Sequence, residues 1–298
     1  MEIGLIGLGK MGYNLALNMK DNNIDIKAFA RNKETLKKAE KDGIEVYSSI
    51  QELVEGLKTP RIIWIMVTAG EPVDNVITEL LKYISPKDIV IDGGNSRFAD
   101  TIRRNEYLEQ RGIFYIDAGT SGGINGARYG ACIMAGGEKE AIKRVEPALK
   151  AICVKDGFLH VGVTGSGHYV KMVHNGIEYG MMQAIGEGFA ILKKSGFDMD
   201  FQRVAKVWNN GSIIEGYLME MTQKAFEDNG NLEKILPVID AMGEGQWTVE
   251  EAVKLGVSAP VIANSLFVRY ASKDYEAFSD KVVAAIRNEF GGHQLHLK

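Results

Sequence analysis

The sequence has little cysteine or proline and no long apolar run. Two cysteines and six prolines occur among 298 residues, so at most one disulfide can form and a disulfide-rich secreted framework is excluded. The longest apolar run, residues 62–67, is far shorter than the roughly 18 residues of a membrane-spanning helix. No basic stretch precedes an apolar core near the first residues, so we expect no signal peptide. These absences favour a reduced, cytoplasmic protein that does not act at a membrane.

An excess of charge of one sign is also missing. The chain has 35 basic and 39 acidic residues and a net charge of −4, and without a large basic block nucleic acid is not expected as a partner. Its length suggests two domains. Glycine, in contrast, is abundant, with 34 residues. Much glycine with little proline indicates tight turns and close approaches of the backbone to a ligand.

The first half of the chain alternates short apolar runs with helical patterns. Near-continuous Ile and Val runs that alternate with helices are typical of a mainly parallel sheet buried on both faces. The predicted strands are residues 2–6, 25–30, 61–67, 89–92, 114–118 and 131–135. The predicted helices are residues 11–20, 32–41, 72–83, 99–111 and 139–151.

Residues 7–12, Gly-Leu-Gly-Lys-Met-Gly, fit the pattern G-x-G-x-x-G directly after the first predicted strand. In this context the first glycine makes a tight turn, the second admits a pyrophosphate and the third lets the helix pack on the strand. The helix N-terminus then faces the phosphate charge. The motif therefore favours dinucleotide binding over an ordinary glycine-rich turn. Its candidate residues are Gly7, Leu8, Gly9, Lys10, Met11 and Gly12.

The end of the second predicted strand bears on which dinucleotide binds. NAD sites usually place an acidic residue there for the ribose 2′-hydroxyl, but this strand ends in Ala30, Arg31 and Asn32. An arginine can pair with the 2′-phosphate of NADP. Arg31 and Asn32 therefore favour NADP, with NAD as the alternative. Arg31 and Lys33 can also be ordinary solvated residues at a helix start.

After about residue 165 the pattern is helical throughout. The predicted helices are residues 167–195, 201–208, 214–226, 248–255, 261–270 and 274–290. The predicted fold is an α/β N-terminal Rossmann-like dinucleotide-binding domain, residues 1–164, followed by an all-α C-terminal domain, residues 165–298. We expect the second domain to bind substrate and to mediate self-association.

One helical stretch carries four polar residues on a single face. Lys171, His174, Asn175 and Glu178 stand at i, i+3, i+4 and i+7, whereas the rest of the stretch is largely apolar or glycine. Such a helix is expected to be buried nearly all round. Burying these groups costs several kcal/mol unless they are paired or face a ligand. The stripe thus indicates an active site, and a solvated face with one Lys–Glu pair is the alternative.

Four stretches together resemble the decarboxylating 6-phosphogluconate dehydrogenases, in their short-form branch. They are residues 7–15, 92–96, 121–130 and 167–179, supported by residues 246–248 and 290–293. The resemblance implies oxidation of 6-phospho-D-gluconate at C3 by NADP or NAD and loss of CO2 to give D-ribulose 5-phosphate, a step of the pentose phosphate pathway. The family needs no metal. A protonated lysine can polarise the ketone in its place.

The resemblance also assigns roles to the polar stripe. Lys171 matches the base that takes the C3 hydroxyl proton, and Glu178 matches the acid that protonates C1 of the enediol. His174 and Asn175 match residues that hold the substrate and the lysine. A lysine with a reference pKa of about 10.4 is a weak base at neutral pH, so this role requires burial to favour the neutral amine.

Further binding residues follow from the same resemblance. Phosphate is held in the family by a tyrosine, basic residues and a tail from a neighbouring subunit, which implies a dimer or tetramer. Gln246 stands where the long form has a phosphate-binding lysine, and Arg269 and Arg287 can also be ordinary solvated arginines. The implied cofactor residues are Val67 and Asn95. The implied substrate residues are Asn95, Ser121, Gly122, Gly123, Lys171, His174, Asn175, Glu178, Tyr179, Thr248, Arg269, Arg287 and His293.

Two other functions remain open from the sequence. A β-hydroxyacid dehydrogenase of the 3-hydroxyisobutyrate type has a similar fold and an analogous lysine, but it releases no CO2 and does not need His174 and Glu178. A non-catalytic NADP-binding scaffold is the second alternative, although a scaffold gains nothing from a buried lysine. We expect no metal site, because His293 and His296 without cysteines are too few ligands.

Overall fold

The computed structural model describes residues 1–297, without the side chain of Phe290. The chain forms two compact units, Met1–His174 and the residues from Asn175 onward. The division falls inside the helix Ser166–Lys194. The predicted domain boundary between residues 164 and 165 lies just before this helix begins, and it stays a prediction.

A single eight-stranded sheet forms the centre of the first unit, in the order β3-β2-β1-β4-β5-β6-β7-β8. Strands β6 and β7 are antiparallel, and the other neighbours run parallel. The strands are β1 (Glu2–Ile6), β2 (Asp25–Phe29), β3 (Glu45–Tyr47), β4 (Ile62–Ile65), β5 (Ile89–Asp92), β6 (Phe114–Ser121), β7 (Ala131–Gly136) and β8 (Cys153–Gly162).

Helices cover both faces of this sheet. Alternate residues of one strand therefore belong to two different buried clusters, one on each face. Trp64 and Ile91 belong to one buried cluster, whereas Ile63, Ile65 and Val90 belong to the other. The mainly parallel sheet with two buried faces is thereby confirmed. The helices are α1 (Lys10–Asp21), α2 (Lys33–Lys41), α3 (Ile50–Glu55), α4 (Glu71–Leu80), α5 (Phe98–Glu109), α6 (Gly123–Tyr129) and α7 (Lys139–Ala151).

The second unit contains helices but no strand among its described residues, and it has a small core. Phe189 packs against Phe201, Trp208 and Phe226, with ring centroids 4.9 to 5.9 Å apart. The helices of the second unit are the later part of α8 (Ser166–Lys194), α9 (Phe201–Trp208), α10 (Tyr217–Asn229), α11 (Glu244–Leu255), α12 (Pro260–Ala271) and α13 (Phe278–Gly291). Among the described residues, no helix is both long enough and apolar enough to cross a membrane.

The expectation that α8 is buried nearly all round is wrong for the single chain. Ile177 and Met181 are each 52% exposed and Ile191 is 71% exposed, whereas Lys171 and Asn175 are each only 7% exposed. The apolar pattern failed as a guide because this chain covers the polar side of the helix and leaves apolar side chains open. A solvated polar face is therefore also excluded.

Candidate active site

The loop between β1 and α1 has the geometry that a dinucleotide pyrophosphate requires. Gly7 has a φ of +106°, and a Cβ there would lie 2.4 Å from the carbonyl oxygen of Met66. A Cβ on Gly12 would lie 2.0 Å from the carbonyl oxygen of Gly7, while the space around Gly9 is open. Gly9 begins α1 without a side-chain cap, so backbone N–H groups can meet an anion. The residues of this loop therefore fit the pyrophosphate of a dinucleotide.

The end of β2 lies beside this loop. The Gly7 N–H donates to the carbonyl oxygen of Phe29 over 2.9 Å, which brings the following residues to the same edge of the sheet. The Asn32 side-chain oxygen accepts from the N–H groups of Glu34 and Thr35 at 2.8 and 3.1 Å and caps α2. Arg31 is exposed immediately before this cap. Arg31 thus follows the carboxyl end of β2, the place in the fold where an adenosine ribose is expected.

The loops after β4 and β5 carry the other two candidate cofactor residues. Val67 follows β4, and Asn95 is exposed in the loop after β5. The loops touch, since a Cβ on Gly94 would lie 3.1 Å from the carbonyl oxygen of Val67. The second loop is held by fully buried Asp92, whose carboxylate accepts from the Gly94 N–H at 3.1 Å and from the Ser96 hydroxyl at 2.7 Å.

The start of α8 is fixed on the sheet by a carboxylate and by glycines. Fully buried Asp117 on β6 accepts from the N–H of Gly165 at 2.7 Å and from the N–H of His168 at 2.8 Å. This carboxylate satisfies two donors at the helix N-terminus, where a negative charge is favourable. A Cβ on Gly167 would lie 2.5 Å from the carbonyl oxygen of Asp117, and one on Gly119 would lie 2.5 Å from Cβ of Lys171. Backbone contact therefore sets the position of Lys171.

Lys171, His174 and Ser121 form a chain of polar groups in the first unit. Nζ of Lys171 lies 3.3 Å from Nδ1 of His174, and Nε2 of the same ring lies 3.1 Å from the Ser121 hydroxyl. Gly122, with a φ of +107°, and Gly123 follow Ser121 and begin α6. The imidazole thus orients the amine of Lys171. The structure brings Ser121 to His174, which lies 53 residues later in the sequence.

The candidates of the second unit surround Tyr179, on the later part of α8. The Arg269 guanidinium stacks on the Tyr179 ring at 3.4 Å from its centroid, an arrangement that fixes both groups. A Cβ on Gly176 would lie 2.7 Å from Cγ2 of Thr248, so α11 packs directly on α8. Thr248 and Asn175 are buried, and Glu178 is partly buried.

Gln246 is held by two neighbours within the second unit. Its amide nitrogen donates to Glu250 at 2.8 Å, and its carbonyl oxygen accepts from the Tyr270 hydroxyl at 3.0 Å. The Arg269 guanidinium also donates to the carbonyl oxygen of Asp240 at 2.8 Å. Arg287 is exposed on α13, and His293 follows that helix.

Three buried residues that support the candidate site received no role from the sequence: Asp92, Asp117 and Arg104. Asp92 ends the buried strand β5, and Asp117 lies within the buried strand β6. The sequence does not show which donors these two carboxylates meet. Arg104 lies on a helix whose face cannot be assigned without the fold. No group of three or more His, Cys, Asp or Glu side chains among residues 1–297 has the geometry of a metal site.

Comparison with known proteins gives consistent matches along the chain. Residues 2–165 match the NAD binding domain of 6-phosphogluconate dehydrogenase, and residues 167–294 match the C-terminal domain of that enzyme. The NAD(+)-dependent, decarboxylating 6-phosphogluconate dehydrogenase of Haloferax volcanii is 39% identical over 300 residues, which cover 100% of this chain and 99% of that protein.

Solved structures agree with these matches. The 6-phosphogluconate dehydrogenase of Plasmodium falciparum, described in apo form and with NADP+ or 6-phosphogluconate, has a TM-score of 0.84 and 34% identity, covering 100% of this chain and 66% of that one. A 3-hydroxyisobutyrate dehydrogenase of Salmonella typhimurium has a TM-score of 0.75 at 18% identity over 91% of this chain and 93% of its own, which shows the shared fold alone. The chain belongs to the 6-phosphogluconate dehydrogenase family.

Proposed function

We propose that this protein oxidises 6-phosphogluconate at C3 and decarboxylates the product to ribulose 5-phosphate. The observation that carries the proposal is the contact of buried Lys171 with His174, whose ring also contacts Ser121 at the end of β6. Lys171 and His174 lie on the helix that carries Glu178 two turns after Lys171. A buried amine held by an imidazole suits proton transfer at a hydroxyl group. Apart from that role, its burial would only cost free energy.

The protein residues act in two stages. Bound NADP or NAD supplies the acceptor for the hydride from C3. The neutral amine of Lys171 takes the proton of the C3 hydroxyl, while His174 and Ser121 hold the amine and the substrate. The resulting ammonium group then donates a hydrogen bond to the C3 carbonyl and stabilises the negative charge that develops as CO2 leaves. Glu178 donates the proton that C1 of the enediol requires.

Arg31 supports a preference for NADP over NAD. It stands exposed at the carboxyl end of β2, where no acidic side chain is available for a ribose 2′-hydroxyl. A guanidinium pairs well with a phosphate dianion. We therefore assign the 2′-phosphate to Arg31, next to the cap formed by Asn32.

The substrate phosphate is assigned to Tyr179 and Arg269 of one chain and to Arg287 and His293 of a second. The stacked pair of Tyr179 and Arg269 supports the first part. The exposure of α13 supports the second, since each of its described side chains is exposed except that of Asn288. Gln246 has a neutral amide where the long form has a lysine. The arginines must therefore neutralise more of the negative charge of the phosphate.

Self-association as a dimer or tetramer accompanies this assignment. Leu236, Met242, Val253 and Tyr275 in the second unit are each at least 77% exposed, and exposed apolar side chains in such number mark interaction surfaces. A second copy would cover them and supply the tail. Cys132 and Cys153 are free thiols, as in a reducing compartment, so we place the protein in the cytoplasm.

The stoichiometry of CO2 release tests the function most directly. With 6-phosphogluconate and NADP or NAD, we expect one CO2 for each dinucleotide reduced, measured by absorbance at 340 nm together with CO2 detection. Dinucleotide reduction without CO2 would instead identify the non-decarboxylating β-hydroxyacid dehydrogenase. Dinucleotide binding without any reduction would identify a scaffold.

A further inference from the structure

Arg104 is a buried arginine that joins two loops at the carboxyl edge of the sheet. Its side chain is 2% exposed, and it lies on α5. Nε and Nη2 donate to the two oxygens of Asp74 at 2.9 and 3.1 Å, and Nη2 also donates to the carbonyl oxygen of Gly70 at 2.9 Å. Gly70 ends the loop that follows β4 and begins α4. One side of the guanidinium thus holds the loop that contains Val67.

The other side of the guanidinium faces Asp92 at the end of β5. Nη1 lies 3.6 Å from Oδ2 of Asp92, an ion-pair distance that is too long for a hydrogen bond. The same Oδ2 accepts from the hydroxyl groups of Ser96 and Tyr115 at 2.7 and 2.9 Å. Asp92 is fully buried, so a compensating cation is needed for its charge to remain there.

From this arrangement we infer that Arg104 is a positioning residue for dinucleotide binding, setting the spacing of the loops at residues 66–70 and 92–96. The first loop carries the candidate cofactor residue Val67, and the second carries Asn95. Asp92 orders the second loop through Ser96 and the Gly94 N–H, and Arg104 ties that carboxylate to the first loop. The inference rests on the proposed function, which assigns the two loops to the dinucleotide.

The neighbouring Arg103 provides a matched control. It also bonds both oxygens of Asp74, at 3.0 and 3.1 Å, but its side chain is 59% exposed. Both arginines contact Asp74. In the described part of the chain, Arg104 also contacts Gly70 and Asp92, and Arg103 contacts neither of them. Substitution of Arg103 therefore removes an arginine from the same carboxylate without releasing the loops.

The test compares the dinucleotide Kd, from calorimetry, with the Tm in four variants: Arg104→Lys, Arg104→Met, Arg103→Met and Ser96→Ala. Arg104→Lys keeps a cation between Asp74 and Asp92, but a single amine cannot reproduce the hydrogen bonds to Asp74 and Gly70 and also stay close to Asp92. We expect the Kd to rise about tenfold in both Arg104 variants, the size of one lost charged hydrogen bond. Because Arg104→Lys keeps the buried positive charge, its Tm should fall less than that of Arg104→Met. Arg103→Met should bind as the unaltered protein does.

Three outcomes would overturn the inference: an equal rise in Kd for Arg103→Met and Arg104→Met, a Kd that changes only in step with Tm, or an unchanged Kd in Arg104→Lys. If Arg104→Met does not fold, Ser96→Ala carries the test. It breaks a bond between Asp92 and the loop while leaving the buried charges intact, and an unchanged Kd would then also count against the inference. Binding is measured without turnover, so failure of the proposed reaction in the unaltered protein remains a separate result.

Discussion

The two units of this chain differ in how completely they bury their apolar side chains. The first unit covers both faces of its sheet with helices and contains two extended cores. In the second unit, the described buried apolar residues are Tyr179, Phe189, Ala205, Met219, Phe226 and Leu266. The first unit is a complete α/β fold, whereas the second exposes much of the surface that a helical domain normally buries.

This difference divides the candidate chemistry between the units. In the first unit, the amine of Lys171 is positioned within one chain, since Lys171 packs against Gly119 and is linked to Ser121 through His174. In the second, Arg287 and His293 belong to an exposed final segment. We therefore expect substitutions in the first unit to change kcat or dinucleotide binding, and those in the exposed segment to change the KM for 6-phosphogluconate.

Substitution of Lys171 should have the largest effect. Lys171→Met removes the group that takes and returns the C3 proton, so kcat should fall by about 10³-fold. The dinucleotide Kd should stay within about twofold, because the loops of the pyrophosphate site are untouched. Steady-state kinetics and calorimetry measure the two quantities. Lys193→Met, on the exposed end of the same helix, is the control, and retained turnover in Lys171→Met would remove the lysine from the mechanism.

Loss of Arg287 should have the next largest effect. Arg287→Ala should raise the KM for 6-phosphogluconate about tenfold, through loss of a charged hydrogen bond to phosphate, and leave the KM for the dinucleotide unchanged. Lys281→Ala on the same helix serves as the control. Mixed dimers of Lys171→Met and Arg287→Ala chains test whether Arg287 acts in the neighbouring site. In such a dimer the Arg287→Ala chain keeps its own Lys171 and receives Arg287 from the other chain. This one intact site should restore activity at low substrate concentration. No recovery would place Arg287 in its own chain's site.

Arg31 should act on the choice of dinucleotide within the first unit. Arg31→Ala should raise the KM for NADP by up to about tenfold and leave that for NAD nearly constant, since only NADP carries the 2′-phosphate. Initial rates with both dinucleotides measure the ratio of the two effects, and Lys37→Ala, at an exposed position of α2, is the control. An equal change for both dinucleotides would show that Arg31 does not recognise the 2′-phosphate.

The smallest effect concerns stability in acid. Hydrogen bonds from Arg104, assisted by Arg103, hold the pKa of the Asp74 carboxyl below its usual value. A lowered native pKa contributes stability above the unfolded pKa, near 4, and this contribution is lost as the pH falls through the native value. The Tm of Asp74→Asn should therefore fall less between pH 6 and pH 3 than that of the unaltered protein. Asp228→Asn is the exposed control, and parallel curves for Asp74→Asn and the unaltered protein would contradict the argument.

The sequence predicted the elements whose signals are local. The six expected strands of the first half and the glycine loop are confirmed, because a buried Ile/Val run and a G-x-G-x-x-G turn each carry their own signal. Short or interrupted elements were missed. Strand β3 has three residues, α3 has six, and α6 contains Gly123 and Gly126. Strand β8 contains Asp156 at a φ of +61° and two register shifts, so its sequence resembles a turn.

The candidate residues for proton transfer were predictable from spacing alone where they share one helix. Lys171, His174, Asn175 and Glu178 stand at helical spacing, and the family resemblance supplied their roles. Contacts between distant segments leave no periodic pattern. The cap on α8 by Asp117 spans 48 and 51 residues, and the bond from Arg104 to Asp74 spans 30. The burial of α8 was misjudged for a related reason, since apolar content does not reveal which side the chain itself covers.

The close contact between the start of α8 and the sheet limits which substitutions this protein can accept. At Gly167 the obstacles to an added methyl group are the carbonyl oxygens of Asp117 and Met134, at 2.5 and 2.6 Å. Main-chain atoms are the same whatever residue stands there, so no compensating substitution elsewhere can create room. Gly186 and Gly188 on the same helix have open surroundings and can accept alanine. Glycine is therefore required at the first turn of α8, whereas the glycines nearer the end of the same helix can be replaced.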